Sequence, residues 1–147
     1  MAKRALKLSI RMPNYIADKM GWRRGIHAAV ADAQRKSSVR YNENDKLEVE
    51  IRLHLRGRRL TILDLDNRVK DIFDALHGCI GEKGKTGELE RIIPNDNQIY
   101  RLVVEKRLAP KSNRAALSTI VIRRYRAHAG TARAAREYLK HTKARSR

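Results

Sequence analysis

The stretch Leu47-Glu48-Val49-Glu50-Ile51-Arg52-Leu53-His54-Leu55 alternates apolar and polar residues without a fault. Successive side chains of a strand point to opposite faces, so this pattern predicts a strand with one buried face, closed by Arg56-Gly57-Arg58-Arg59. Upstream, Leu6, Leu8, Ile10 and Met12 alternate with Lys7, Ser9 and Arg11, which predicts an earlier strand ended by Pro13. Between the two strands, Ile16, Met20, Ile26, Ala29, Val30 and Ala33 follow helical spacing loosely. Gly21 and Gly25 break its first half, so a helix is expected mainly over the second half of Tyr15 to Lys36.

Downstream, Val69, Ile72, Phe73 and Leu76 fall at i, i+3, i+4 and i+7, the stripe of an amphipathic helix beginning near Asp66 or Asn67 and stopping at Gly78. Gly78 to Pro94 is rich in Gly, Lys and Glu and reads as a long exposed loop. Gln98 to Leu108 and Leu117 to Tyr125 read as two strands of a hairpin turning through Pro110 to Arg114. From Gly130 onward, Ala132, Ala135, Tyr138 and Leu139 suit a terminal helix among Arg and Lys. The expected architecture is α+β: strand, helix, strand, helix, hairpin, forming a small mixed β-sheet with helices packed on it. That unit covers residues 1–125, and residues 126–147 form a basic C-terminal helical extension.

The 147 residues amount to about one domain, and 41% hydrophobic content suffices for a core. Lys and Arg number 34 against 16 Asp and Glu, a formal charge of +18, which makes a polyanion the leading partner. No apolar run approaches the ~18 residues of a spanning helix, and Met1 to Arg11 lacks an apolar signal core, so an intracellular, cytoplasmic protein is expected. The single cysteine, Cys79, excludes an internal disulfide framework and a cysteine-based zinc site. Aromatic content of 5% disfavours a stacking platform for single-stranded bases.

The charge is not uniform. Residues 1–60 carry a net +9, residues 61–100 a net −3 and residues 101–147 a net +12. Carboxylates weaken a phosphate-binding face unless a cation lies between them and the phosphates, so an acidic centre between basic flanks suggests metal-assisted chemistry. The alternative is that these acids cap a helix and pair locally.

Within the acidic centre, Leu63-Asp64-Leu65-Asp66-Asn67 places two carboxylates two residues apart. In an extended segment they share a side, as a hard ion such as magnesium requires. Taken alone, an Asp-x-Asp is better explained by one of Asp64, Asp66 or Asn67 capping the helix. Lys70 stands one helical turn beyond Asp66, where its ammonium could meet a phosphoryl oxygen or merely form an i, i+4 ion pair. Asp74 lies a further turn on, orienting Lys70 or facing solvent. Asp96, in Pro94-Asn95-Asp96-Asn97-Gln98, is explained by turn chemistry unless other evidence recruits it. The histidines, His27, His54, His77, His128 and His141, show no metal-ligand spacing, and His77 suits a helix C-terminus.

Asp64-Leu65-Asp66-Asn67, then Lys70, then Asp74-Ala75-Leu76, then Asn95-Asp96 with Gln98-Ile99, resembles the motif of the RusA family of Holliday junction resolvases. That motif runs D-x-D-N-x-x-K, D-A-L, a loop, and D-D-x-x-V. Asn95 stands where the family often has an acidic residue.

The resemblance implies a RusA-like nuclease domain over residues 1–125. It further implies a homodimeric crossover junction endodeoxyribonuclease that uses magnesium, with manganese able to substitute, to resolve four-way DNA junctions by paired nicks. Asp64, Asp66 and Asp96 would be the metal ligands, and Lys70 the catalytic cation. Arg23, Arg24, Arg56, Arg58, Arg59, Arg101, Arg123, Arg124 and Arg126, together with Lys70, are the expected DNA-binding residues. No small-molecule cofactor is expected. The competing expectations are a non-catalytic basic nucleic-acid-binding protein and a nuclease that prefers flaps or forks.

Overall fold

The alternation around Ile51 becomes a central strand in the computed structural model, which describes residues 6–81, 89–109, 118–127 and 136–141. In chain order the elements are β1 (Leu8–Met12), α1 (Lys19–Ser37), β2 (Leu47–Leu55), α2 (Arg59–Ile62), α3 (Leu65–Leu76), a 3-10 turn (Asp96–Gln98), β3 (Ile99–Leu108) and β4 (Ser118–Arg124). The strands form one mixed four-stranded sheet in the order β1-β4-β2-β3. β2 and β3 are parallel, while β4 runs antiparallel to its neighbours β1 and β2. The fold is α+β.

Leu47, Val49, Ile51 and Leu53 are fully buried on one face of β2, in line with Ile120 and Ile122 of β4 and with Leu8, Ile10 and Met12 of β1. Trp22, Ile26 and Val30, four residues apart on α1, and Ile72, Ala75 and Leu76 of α3 complete the same core. Each large apolar side chain so buried stabilises the fold by about 1.5–3 kcal/mol relative to exposure. Among the described residues, no helix is long and apolar enough to cross a membrane.

α1 begins at Lys19, with Asp18 accepting a hydrogen bond from Gly21 N–H, and it runs unbroken through both glycines. A side chain at Gly25 would meet Pro13 at 3.0 Å, so the missing Cβ lets the end of the first strand lie against the helix. The Trp22 indole N–H fixes that approach by donating to the Pro13 carbonyl.

The expected hairpin does not form. β2 lies between β3 and β4, and β3 takes the outer edge. Nine residues separate Leu108 from Ser118, more than the 2–5 of an ordinary hairpin loop. The two strands also differ in burial: Ile120 and Ile122 are wholly buried, as suits a central position, whereas Leu102 and Leu108 of β3 are exposed. The turn expected at Pro110 to Arg114 lies outside the described residues, as do residues 82–88 of the long loop. Of the terminal helix expected from Gly130, residues 136–141 are described, and they are helical and exposed.

The described ends of the 78–94 segment are less exposed than their composition suggests. Ile80, Ile92 and Ile93 are buried, and the N–H groups of Ile92 and Ile93 donate to the Leu76 carbonyl. Gly78 makes the close turn off α3 with φ of +77°, and a Cβ there would fall 2.1 Å from the Leu89 carbonyl oxygen. Gly78→Ala is therefore expected to destabilise the protein by more than ~1 kcal/mol, read as a lowered urea midpoint.

The other face of β2 carries charge. Glu48 is buried, and its carboxylate accepts from Arg101 and Arg123 at 2.9 Å each. Glu50 accepts from Arg123 at 2.6 Å and from Arg101 at 3.3 Å. Burial pushes both carboxyls up, but the hydrogen bonds and positive charge of the two arginines outweigh it and hold both below the ordinary glutamate range. The unfolded chain then takes up these protons first as pH falls, so the stabilisation is full above the unfolded value of about 4.3 and is lost toward the lower folded values. Urea unfolding between pH 3 and 7 is expected to show this acid loss in the wild type and a flatter profile in Glu48→Gln. An unchanged profile would contradict the linkage.

Candidate active site

Helix α3 starts where Asp64 leaves the strand-like conformation, with φ −81° and ψ 120°. Its Oδ1 accepts from the Asp66 N–H and its Oδ2 from Asn67 Nδ2, both at 3.0 Å. Asp64 is thus the N-cap, satisfying one of the helix's orphan donors. The helix starts at Leu65, one or two residues earlier than its apolar stripe suggests, because the cap precedes the stripe. Asp66 lies in the first turn and Lys70 one turn on; Asp64, Asp66 and Lys70 are all exposed.

Lys70 also lines a groove of about 510 Å³ with Lys19, Met20, Arg23, Asp74 and Cys79, between the start of α1 and the face of α3. Asp74 neither orients Lys70 nor stands free in solvent. Its Oδ2 pairs with Arg23 at 3.0 Å.

A buried charge cluster beneath this groove escapes the sequence reading. Asp71 is 1% exposed; its Oδ1 accepts from Arg23 Nε and Nη2 at 3.2 and 2.8 Å, and its Oδ2 faces Arg68 at 3.3 Å. Arg68 in turn lies 4.7 Å from the Tyr15 ring centre, and that ring meets Trp22 edge-on. The cluster fastens α3 to α1 and sets the orientation of the helix face that carries Lys70.

Asp96 opens the 3-10 turn ahead of β3, and its Oδ1 lies 2.9 Å from His77 Nε2. His77 is the C-cap of α3, whereas Asp64 is its N-cap. At ~1.5 Å rise per residue the two caps stand roughly 20 Å apart. This separation follows from topology. A helix that joins parallel neighbours β2 and β3 must begin at the carboxyl end of one and return to the amino end of the other. The structure brings Asp64, Asp66 and Lys70 onto one helical stretch and leaves Asp96 at the other end. Among the described residues, no group of three or more His, Cys, Asp or Glu side chains could hold a metal ion.

No protein-family model, curated protein or solved structure matches the chain. The site is therefore read from its own chemistry. Magnesium takes one or two protein carboxylates and fills its remaining positions with water and phosphate oxygens. Asp64 and Asp66 are both exposed and oxygen-bearing, so either meets that requirement as a ligand, but the extended segment that would put them on one side does not form, because Asp64 caps the helix and Asp66 stands in its first turn; Asp96 does not join them.

The nine arginines expected to track phosphates fall into distinct groups. Arg101 and Arg123 are clamped on Glu48 and Glu50, and Arg23 on Asp71 and Asp74, so internal carboxylates neutralise these three. Arg24, Arg56, Arg58, Arg59 and Arg126 are exposed, and Arg124 is half-buried at the end of β4. Neutralised partners escape a sequence reading because Glu48 and Arg123 are 75 residues apart and meet only across strands.

Proposed function

We propose that the chain is a magnesium-dependent endonuclease that nicks branched DNA, with the four-way junction as its substrate. The observation that carries this reading is the exposure of Asp64, Asp66 and Lys70 together on the first two turns of α3, beside a cation-lined groove. Asp64 and Asp66 would hold the ion, whose contribution when bound is to polarise the phosphodiester and acidify a coordinated water. Both oxygens of Asp64 already accept hydrogen bonds, from Asp66 N–H and from Asn67 Nδ2, so an ion would use the lone pairs that these leave. Lys70, one turn beyond Asp66, supplies positive charge for the developing negative charge on phosphorus oxygens. The exposed arginines bind flanking phosphates, which makes affinity steeply salt-dependent and largely indifferent to sequence.

The reading includes a homodimer, whose two-fold axis would set two sites against the symmetric arms of a junction. It also implies a cytoplasmic protein that associates with the nucleoid when on DNA. A second reading, a non-catalytic basic DNA-binding protein, is favoured by the distance of Asp96 from Asp64 and by the cap role of Asp64. Nicking rates on a four-way junction, a flap, a fork and a linear duplex of matched sequence test the substrate. The junction is expected to be cut fastest and in pairs; faster cutting of flaps or forks would reassign it.

A further inference from the structure

A second cavity lies at the opposite end of the sheet from Asp96, where β1, β2 and β3 present their carboxyl ends. It measures about 250 Å³ and is lined by Asn14, Tyr15, His54, Arg56, Arg58 and Arg59, with Leu55 and Ala109 as its apolar floor. Ligands of open α/β sheets sit outside the carboxyl ends of strands, and this is also the end from which α2 and α3 depart. Three arginines and a histidine are among the residues that line the cavity, and none of its lining residues is acidic. That is an unusual balance for a fold that elsewhere answers buried arginines with carboxylates.

The wall is built. Arg59 donates from Nη1 to the Tyr15 carbonyl at 2.9 Å and lies over the Tyr15 ring, which Trp22 and Arg68 hold from other sides. The side chains of Arg56 and Arg58 are exposed and make no hydrogen bond or ion pair among the described residues, although the Arg58 carbonyl accepts from Thr61 and Ile62 at the start of α2. His54 is anchored through its backbone N–H to Ser118 Oγ, yet its Nδ1 is buried and has no hydrogen-bond partner among the described residues. A buried ring nitrogen of this kind can donate in one tautomer, and although the Glu105 carboxylate of β3 is near enough to act on the ring's charge, it does not line the cavity, where the three arginines favour an anion. The volume falls below the ~300–1,000 Å³ of pockets for whole small molecules, which suits a single compact group. Guanidinium forks match phosphate oxygens in pairs.

We infer that this cavity is a phosphate subsite in which Arg56, Arg58 and Arg59 hold one backbone phosphate of a DNA strand and His54 Nδ1 donates a further hydrogen bond to it. The subsite rests on the nucleic-acid part of the proposed function and is independent of cleavage. It gives a role to His54, whose place in a strand pattern otherwise marks it only as a polar alternation residue.

The test is to follow the His54 ring resonances of the full chain by NMR while adding inorganic phosphate, then a blunt duplex without terminal phosphates, then the same duplex carrying 5′-phosphates. Saturable shifts with inorganic phosphate, displaced by the duplex lacking terminal phosphates, are expected. Arg56→Gln with Arg58→Gln should weaken phosphate binding by roughly tenfold or more, equivalent to losing a charge-assisted contact, with thermal unfolding unchanged. Displacement only by the 5′-phosphorylated duplex would overturn the backbone assignment in favour of strand ends. No shift at His54, or a shift insensitive to both arginines, would overturn the subsite itself. Phosphate binding here without any junction nicking would leave the subsite standing and sink the nuclease reading; nicking without a His54 response would do the reverse.

Discussion

Asp66→Asn is expected to abolish nicking of a four-way junction while leaving junction binding equal to or tighter than that of the wild type. The side chain is exposed in the first turn of α3 and its own carboxylate makes no hydrogen bond among the described residues, so the change costs the fold little. It removes a hard oxygen ligand and one negative charge that repels the phosphate backbone. Rate and affinity should therefore move in opposite directions, which a loss of folding would not produce. Asp64→Asn tests the partner carboxylate but is less clean, because Asp64 also caps the helix and any weakening of the cap adds up to ~1 kcal/mol or so of destabilisation. Asp96→Asn discriminates further: with Asp96 held against His77 at the far end of α3, its loss should slow nicking much less than the loss of Asp66. Gel assays of nicking and of binding on the same labelled junction read all three.

Asp71→Ala is expected to be the most destabilising single polar substitution in the chain, at about 3–5 kcal/mol. Arg23 and Arg68 have side chains only 12% exposed, and the change leaves both facing a void with their main counter-charge gone. Asp74 still reaches Arg23 but not Arg68. The urea midpoint should drop by at least ~1 M with an unchanged slope, given slopes of ~1–3 kcal/mol per M for small proteins. Replacing Arg23, Arg68 and Asp71 together by apolar residues of similar volume should recover much of the loss, since the desolvation of all three charges is then relieved. A loss below ~1 kcal/mol for Asp71→Ala would show that water reaches the cluster.

What could be read from residues alone was whatever repeats locally. The alternation from Leu47 to Leu55 and the stripe Val69, Ile72, Phe73, Leu76 identify β2 and α3 because burial of one face imposes their periods. Strand order was not legible, since the placement of β4 between β1 and β2 depends on pairings across most of the chain. One signal was available: nine residues between β3 and β4 argue against a hairpin. Within the site, the single turn from Asp66 to Lys70 follows from spacing, whereas the extended segment expected from Asp64 to Asp66 gives way to a helix start, because Asp64 caps α3 and draws Asp66 into its first turn. Asp96 is not contiguous with this run, and only the parallel pairing of β2 with β3 reveals that the crossover carries it to the other end of α3. Asp71 was hidden for a different reason. A buried carboxylate is indistinguishable from an exposed one until its arginine partner, 48 residues earlier, is known.

The direct test of the account is a single reaction: the purified chain with an end-labelled synthetic four-way junction, in magnesium and again with the ion chelated, beside a linear duplex of the same sequence. Paired nicks near the branch point that need magnesium and are absent from the duplex are expected. Tight junction binding with no nick in magnesium or manganese would contradict that expectation and leave a basic DNA-binding protein whose Asp64 and Asp66 serve the helix alone.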